Sequence, residues 1–205
     1  MTQSAFDRRS ILRALPALLG ALFGARALAS SRDSCSPTTS DIQGPFYVGG
    51  APRRAQLAGP SEKGERLQIH GTVFASDCST PLPGALLDIW HADAGGNYHD
   101  AKEQYRLRGQ ILTDSRGRYE FETIRPGNYQ LDGGWRPAHI HFTVSSPGHD
   151  PLTTQLYFRG DKYLPPHDAC GDECHADDPH RVIPLVANGS RLAGKFDLVL
   201  KSARA

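Results

Sequence analysis

The sequence predicts an all-β protein, a β-sandwich of mixed short strands with long loops that serve a site. Three observations lead there. From residue 67 onward, short stretches alternate apolar and polar residues, the two-residue period of a strand buried on one face. Clusters of Gly, Pro, Ser and Asp separate these stretches, as turns between strands require. Past residue 29, no stretch repeats apolar residues at the helical period, and no internal repeat is visible.

Taken in order, an opening rich in Ser, Pro and Gly runs to about residue 65 and reads as irregular. The first predicted strand is 67–74, and the second, 85–90, follows the turn signal Pro83-Gly84. A third, 106–113, ends before Ser115-Arg116-Gly117, and 118–123 begins after it with Tyr119 and Phe121 on one face. Pro126-Gly127 introduces 128–131. Strands at 139–144, 153–158 and 195–200 complete the set, the last alternating through Phe196, Leu198 and Leu200. Between the final two, residues 159–191 form a long Pro- and His-rich excursion. Long loops on a sandwich usually serve a site or an interface.

A chain of 205 residues with 39% hydrophobic content can bury one core. We read 1–29 as an export signal and 30–205 as a single domain. Asp7-Arg8-Arg9-Ser10-Ile11-Leu12-Arg13 precedes an apolar run, 14–23, and then Ala27-Leu28-Ala29. The run is too short and too rich in Ala and Gly to span a bilayer, while small residues at 27 and 29 suit a signal peptidase. The paired arginines fit the twin-arginine route, so the expected location is periplasmic or extracellular. Removing 1–29 takes away Arg8, Arg9, Arg13, Arg26 and Asp7, which moves the formal charge from +1 to −2. Such a mature chain lacks the basic footprint that nucleic acid or an anionic membrane would need. A small-molecule partner is expected instead. Cys35, Cys78, Cys170 and Cys174 would enter an oxidising compartment, where an even count favours disulfides. Three pairings are open; we prefer Cys35 with Cys78 and Cys170 with Cys174, the rival being a metal site within residues 167–175, whose spacing fits no zinc pattern.

The chemistry concentrates in Arg136-Pro137-Ala138-His139-Ile140-His141-Phe142. Alternation puts His139 and His141 on one face and Ile140 on the other, so the two imidazoles can grip one metal. An arbitrary pair of this kind is more often two polar residues on a solvated strand face. Its company here differs, because two tyrosines each follow a glycine by two residues, in Gly96-Asn97-Tyr98 and Gly127-Asn128-Tyr129.

With these blocks in view, the sequence resembles the intradiol ring-cleavage dioxygenases, the family of protocatechuate 3,4-dioxygenase and catechol 1,2-dioxygenase, and its exported branch most of all. Blocks in matching order are Ile69-His70-Gly71-Thr72-Val73, Pro83-Gly84-Ala85, Asp88-Ile89-Trp90, Gly96-Asn97-Tyr98, Arg108-Gly109, Thr113-Asp114, 117–121, 123–129 and 136–142. The resemblance implies one non-haem Fe(III) held by Tyr98, Tyr129, His139 and His141. Hard phenolate and imidazole donors suit the ferric ion. It also implies cleavage of a catechol by O2 between the two hydroxylated carbons, giving a cis,cis-muconate-type diacid. In that scheme Tyr129 leaves the iron as substrate binds and takes a proton, while Tyr98 stays. Arg136 would stabilise negative charge on the substrate, and Gln155 would stand near the iron. His99 is expected in a supporting or exposed position, His70 and His91 are read as structural, and so is Trp90, whose flat apolar area fits the sandwich core.

Two departures limit the likeness. The segment between Tyr129 and Arg136 is only six residues and has Leu131 where a tryptophan would stand in protocatechuate enzymes. Residues 30–66 are too few and too broken to form the helical dimerisation domain of catechol 1,2-dioxygenases. Ring substituents therefore stay open, as does assembly, a homo-oligomer being compatible with exposed sheet edges. The alternative is an exported β-sandwich protein that binds a metal or a catechol without turnover.

Overall fold

Alternation along β1 (Arg66–Phe74) sends Leu67, Ile69, Gly71 and Val73 inward and leaves His70 exposed. In the computed structural model, which describes residues 35–100 and 104–204, this strand organises one sheet. One edge of β1 pairs antiparallel with β4 (Arg118–Ile124), from Arg66↔Ile124 to Thr72↔Arg118. Its other edge takes β11 (Arg191–Lys195) and then β12 (Leu198–Val199), both parallel, with β10 (Val186–Asn188) outside β11. The second sheet runs β3 (Arg108–Leu112), β2 (Leu86–His91), β7 (His139–Ser145), β8 (Leu152–Phe158) and β9 (Val182–Ile183). The described residues make one compact unit.

The sheets close on a core with Leu67, Ile69, Phe121 and Phe196 on one side and Leu87, Ile89, Ile140, Phe142 and Leu156 on the other. Phe142 is the hinge of that packing, with ring centroids 6.0 Å from Phe121 and 5.4 Å from Phe196. Burying side chains of this size stabilises by about 1.5–3 kcal/mol each. A third, two-stranded ladder pairs β5 (Tyr129–Leu131) with β6 (Gly134–Arg136).

The predicted strand 195–200 is interrupted. Phe196 turns its carbonyl onto Gly71, where a Cβ would lie 1.9 Å from that oxygen, and Tyr119 donates its hydroxyl to it at 2.5 Å. Asp197 Oδ1 then accepts Thr72 N–H at 3.0 Å in place of a backbone partner. The 159–191 excursion is less bare than its composition suggests: it holds β9, β10 and a single 3-10 turn, Gly171–Glu173. Cysteines pair as preferred, Cys35–Cys78 and Cys170–Cys174, so the rival metal site loses its thiolates. The expected export signal, 1–29, lies outside the described residues. Among the described residues, no helix is long and apolar enough to cross a membrane.

Candidate metal centre

The two Gly-x-Tyr turns are one construction. Asp93, just after β2, closes the first by accepting Gly95 N–H at 2.9 Å and Asn97 N–H at 3.0 Å on Oδ1. Gly96 has φ +82°, and a Cβ there would lie 2.1 Å from the Asn128 carbonyl oxygen. Across the contact, a Cβ on Gly127 would lie 2.4 Å from the Ala94 oxygen, and Gly127 N–H donates to Asp93 O at 2.9 Å. Only paired glycines let the turns approach so closely. Their consequence is that Tyr98 and Tyr129 reach the same place, with ring centroids 5.6 Å apart.

On β7, His139 and His141 point away from the core, as their spacing predicts, yet both are 2% exposed. Trp90 and the segment before β1 cover this face: Trp90 stacks on His141 at 4.7 Å, Tyr47 packs on Trp90, and Phe46 stacks on Tyr98 at 4.3 Å. Trp90 thus sits on the outer face of its sheet, against the site, and not in the sandwich core expected of it.

Three donor atoms converge. Tyr98 Oη lies 3.1 Å from His139 Nε2 and 3.1 Å from His141 Nε2, and the two nitrogens are 3.2 Å apart. That triangle is the spacing of donors each about 2 Å from a common ion. His139 Nδ1 lies 2.7 Å from the Pro137 carbonyl, which can only accept, so Nδ1 carries the hydrogen and Nε2 offers its lone pair to the centre. Burial, reinforced by the charge of Arg136, pushes His139 down to about 3. Burial, then His139 and Arg136, hold His141 well below the histidine range. Both rings are therefore neutral, the form that coordinates a metal. Burial, with Tyr129 adding to it and Arg136 and Arg108 opposing, raises Tyr98 above the ordinary tyrosine value. A bound trication would reverse that preference and hold the phenolate. Among the described residues no group of three His, Cys, Asp or Glu could hold an ion. Tyrosine is what makes this donor set fit a hard ferric one.

Tyr129 stands beside the triangle. Its ring centroid is 5.6 Å from that of His139, and Arg136 Nη1 approaches its hydroxyl at 3.5 Å. Arg136 is 1% exposed and paired with Asp168, Nε to Oδ1 at 3.1 Å and Nη2 to Oδ2 at 3.3 Å. Nη2 also donates to Gln155 Oε1 at 3.3 Å and Tyr157 Oη at 3.2 Å. Gln155 is thus a neighbour of Arg136, anchored in turn through Nε2 to Asp41 and to the Ile42 carbonyl. All six predicted site residues come together.

His99 lies outside the triangle, bonded to Asp93 Oδ2 at 3.0 Å. His91 crosses the sandwich to Thr123 Oγ1 at 2.7 Å and is structural, as read. Sequence reasoning missed Asp168, Asp41 and Tyr157. Tyr157 was within reach, since it follows Gln155 by two residues on β8 and so shares its face; the two aspartates join the site from distant loops.

The family model Dioxygenase_C, described as a dioxygenase, matches residues 42–177. Chlorocatechol 1,2-dioxygenase of Rhodococcus opacus is 37% identical over 172 residues, covering 72% of this chain and 65% of the relative. Catechol 1,2-dioxygenase of Acinetobacter baylyi is 38% identical, covering 64% of this chain and 49% of the relative. The chain thus spans about half to two thirds of the length of these relatives. Among solved structures, the dioxygenase domain of a dioxygenase and carbohydrate-binding fusion from Streptomyces sp. SirexAA-E superposes with a TM-score of 0.70 at 34% identity, covering 82% of this chain and 100% of that one. Matching residues, sandwich and relatives agree, and the chain belongs to the intradiol ring-cleavage dioxygenase family.

Proposed function

We propose that the chain is an exported, non-haem Fe(III) dioxygenase that opens catechol-type rings with O2 between the two hydroxylated carbons, giving cis,cis-muconate-type diacids. The observation that supports this best is the triangle of Tyr98 Oη, His139 Nε2 and His141 Nε2, with edges of 3.1 to 3.2 Å and Tyr129 beside it. When bound, Fe(III) supplies the charge that keeps tyrosine and catechol ionised and the acidity that makes the ring reactive towards O2. His139 and His141 contribute neutral donors, and Tyr98 the inner phenolate. Tyr129 lies off the triangle with its hydroxyl against Arg136, which supports its assignment as the residue that releases and takes a substrate proton. Arg136 directs Nη1 to the same spot, where it can stabilise negative charge on the substrate. Phe46 and Trp90 exclude water from the faces of Tyr98 and His141 and so strengthen these electrostatics. Both atoms of O2 remain in the product, and no reductant is consumed.

Two disulfides support an oxidising compartment. The Arg8-Arg9 pair ahead of an apolar run supports the twin-arginine route. The test is the visible spectrum of the protein loaded with stoichiometric Fe(III), before and after catechol in air. A phenolate-to-iron band that shifts with catechol, followed by rising ultraviolet muconate absorbance, is the expected result. A shift without product would leave a binding protein, and a colourless protein would overturn the iron site.

A further inference from the structure

The guanidinium of Arg136 has five N–H groups, and the structure accounts for most of them on the side away from Tyr129. Nε and one edge of Nη2 form a two-pronged pair with Asp168, at 3.1 and 3.3 Å. The remaining capacity of Nη2 goes to Gln155 Oε1 and Tyr157 Oη, at 3.3 and 3.2 Å. Nη1 is left with a single long contact, 3.5 Å to Tyr129 Oη. A planar fork held on one edge has no freedom to turn, so the opposite edge has a fixed aim.

Asp168 is itself held. Its Oδ1 accepts Cys170 N–H at 2.9 Å, its carbonyl accepts Gly171 N–H at 3.1 Å, and the turn they form is closed by the Cys170–Cys174 disulfide. Alongside, Ala169 N–H donates to Trp135 O at 3.0 Å, docking this stretch on β6 next to Arg136. Both side chains of the pair are buried, at 1% and 2% exposure.

We propose that Asp168 is a positioning residue for ring cleavage: it fixes the guanidinium of Arg136 so that Nη1 faces Tyr129 and the substrate oxygens. This rests on the iron-dependent reading above. Asp168 touches neither the tyrosines nor the histidines in any hydrogen bond, and it acts through Arg136 alone.

A double-mutant cycle on the iron-loaded protein tests it, with D168N, D168E, R136M and R136M/D168N compared for kcat, KM, the phenolate-to-iron band and thermal melting. We expect D168N to lower kcat by about 10- to 100-fold, the usual loss when a group that orients an active-site residue is removed. KM should change by less than about threefold, because the charge Arg136 meets develops in the transition state. The visible band should persist, which a merely structural collapse would not allow, and D168E should recover most of kcat. In the R136M background, D168N should change kcat by less than about twofold, since an effect relayed through one residue vanishes with it. D168N leaves a buried guanidinium without its counter-charge. Should it fail to fold, R136M against R136M/D168N carries the decision, since neither holds a stranded guanidinium and the Asp168 carboxylate that R136M leaves unpaired can take up a proton, while the double variant has no charge at either position. A further tenfold loss in the double variant, or a folded D168N with wild-type kcat, overturns the proposal. A wild-type protein without the band or without muconate overturns the iron-dependent reading instead.

Discussion

Tyr98 and Tyr129 each follow a glycine by two residues and have different surroundings, which separates their roles. Tyr98 Oη lies 3.1 Å from both imidazole nitrogens, whereas the hydroxyl of Tyr129 meets Arg136 Nη1. Tyr98→Phe should therefore lose the visible band and all turnover, and His141→Ala should do the same. Under the proposed function Tyr129→Phe should retain part of the iron and slow substrate binding, because Tyr129 is there both the outer donor and the proton acceptor. Iron content and stopped-flow absorbance measure both, and wild-type turnover by Tyr98→Phe would sink the assignment. At this scale the sequence was legible where chemistry follows a local period: His139 and His141 are two apart on a strand, and each tyrosine follows its glycine by two. Asp168 escaped because it reaches Arg136 across 32 positions, through a loop whose path no local period encodes. Trp90 was misplaced for a related reason, as its apolar surface fits either face of a sheet and only the segment before β1 makes the outer one dry.

At the level of elements, the paired turns and the two disulfides make separable predictions. Gly96→Ala puts a Cβ 2.1 Å from the Asn128 oxygen at a residue with φ +82°, so the turns must part and Tyr98 and Tyr129 with them. We expect a loss of at least about 1–3 kcal/mol in stability and a weakened or shifted visible band, whereas Gly133→Ala, also at positive φ but with open space around it, should leave the band unchanged. Cys35–Cys78 closes 43 positions and Cys170–Cys174 only 4. In the chain-entropy picture these cross-links stabilise by about 4 and about 2 kcal/mol. Replacing the first pair by serine should lower the melting temperature more and spare kcat. Replacing the second should cost less stability and more activity, because that turn carries Asp168. Melting curves beside initial rates would show the crossover, and equal effects on both quantities would refute it. Seven of the strands could be read from alternation and turn residues, within a residue or two at their ends. The break between β11 and β12 could not, because it arises where the Phe196 carbonyl turns into the space left by Gly71 on another strand.

For the whole molecule, the sandwich is a platform whose inner face makes the core and whose outer face makes the site, and His91 links its two sheets. His91 sits at the end of β2, with Nε2 2.7 Å from Thr123 Oγ1 on β4 and Nδ1 2.7 Å from the Ala92 carbonyl. That carbonyl fixes the hydrogen on Nδ1, so Nε2 accepts from the threonine and the folded ring is neutral. Burial lowers its pKa to about 4, opposed by the Ala92 hydrogen bond and aided by the charge of Arg108. In the unfolded chain the same ring titrates near 6.5. Above pH 6.5 neither state binds the proton and His91 adds no pH dependence. As pH falls from about 6.5 to about 4, the unfolded state takes up a proton that the folded state refuses, and stability drops with it. The difference of about 2.5 units corresponds to about 3 kcal/mol lost by pH 4, of the same order as a large share of a domain's total stability. Urea unfolding of the wild type and of His91→Gln, at steps from pH 7 to pH 4.5, isolates the term, since acid release of iron affects both proteins alike. Glutamine cannot take up the proton, so its curve should be flatter by about 1.4 kcal/mol per pH unit below 6.5. Parallel curves would mean that His91 is protonated in the fold, and the hydrogen bond from Thr123 would then have to be reassigned.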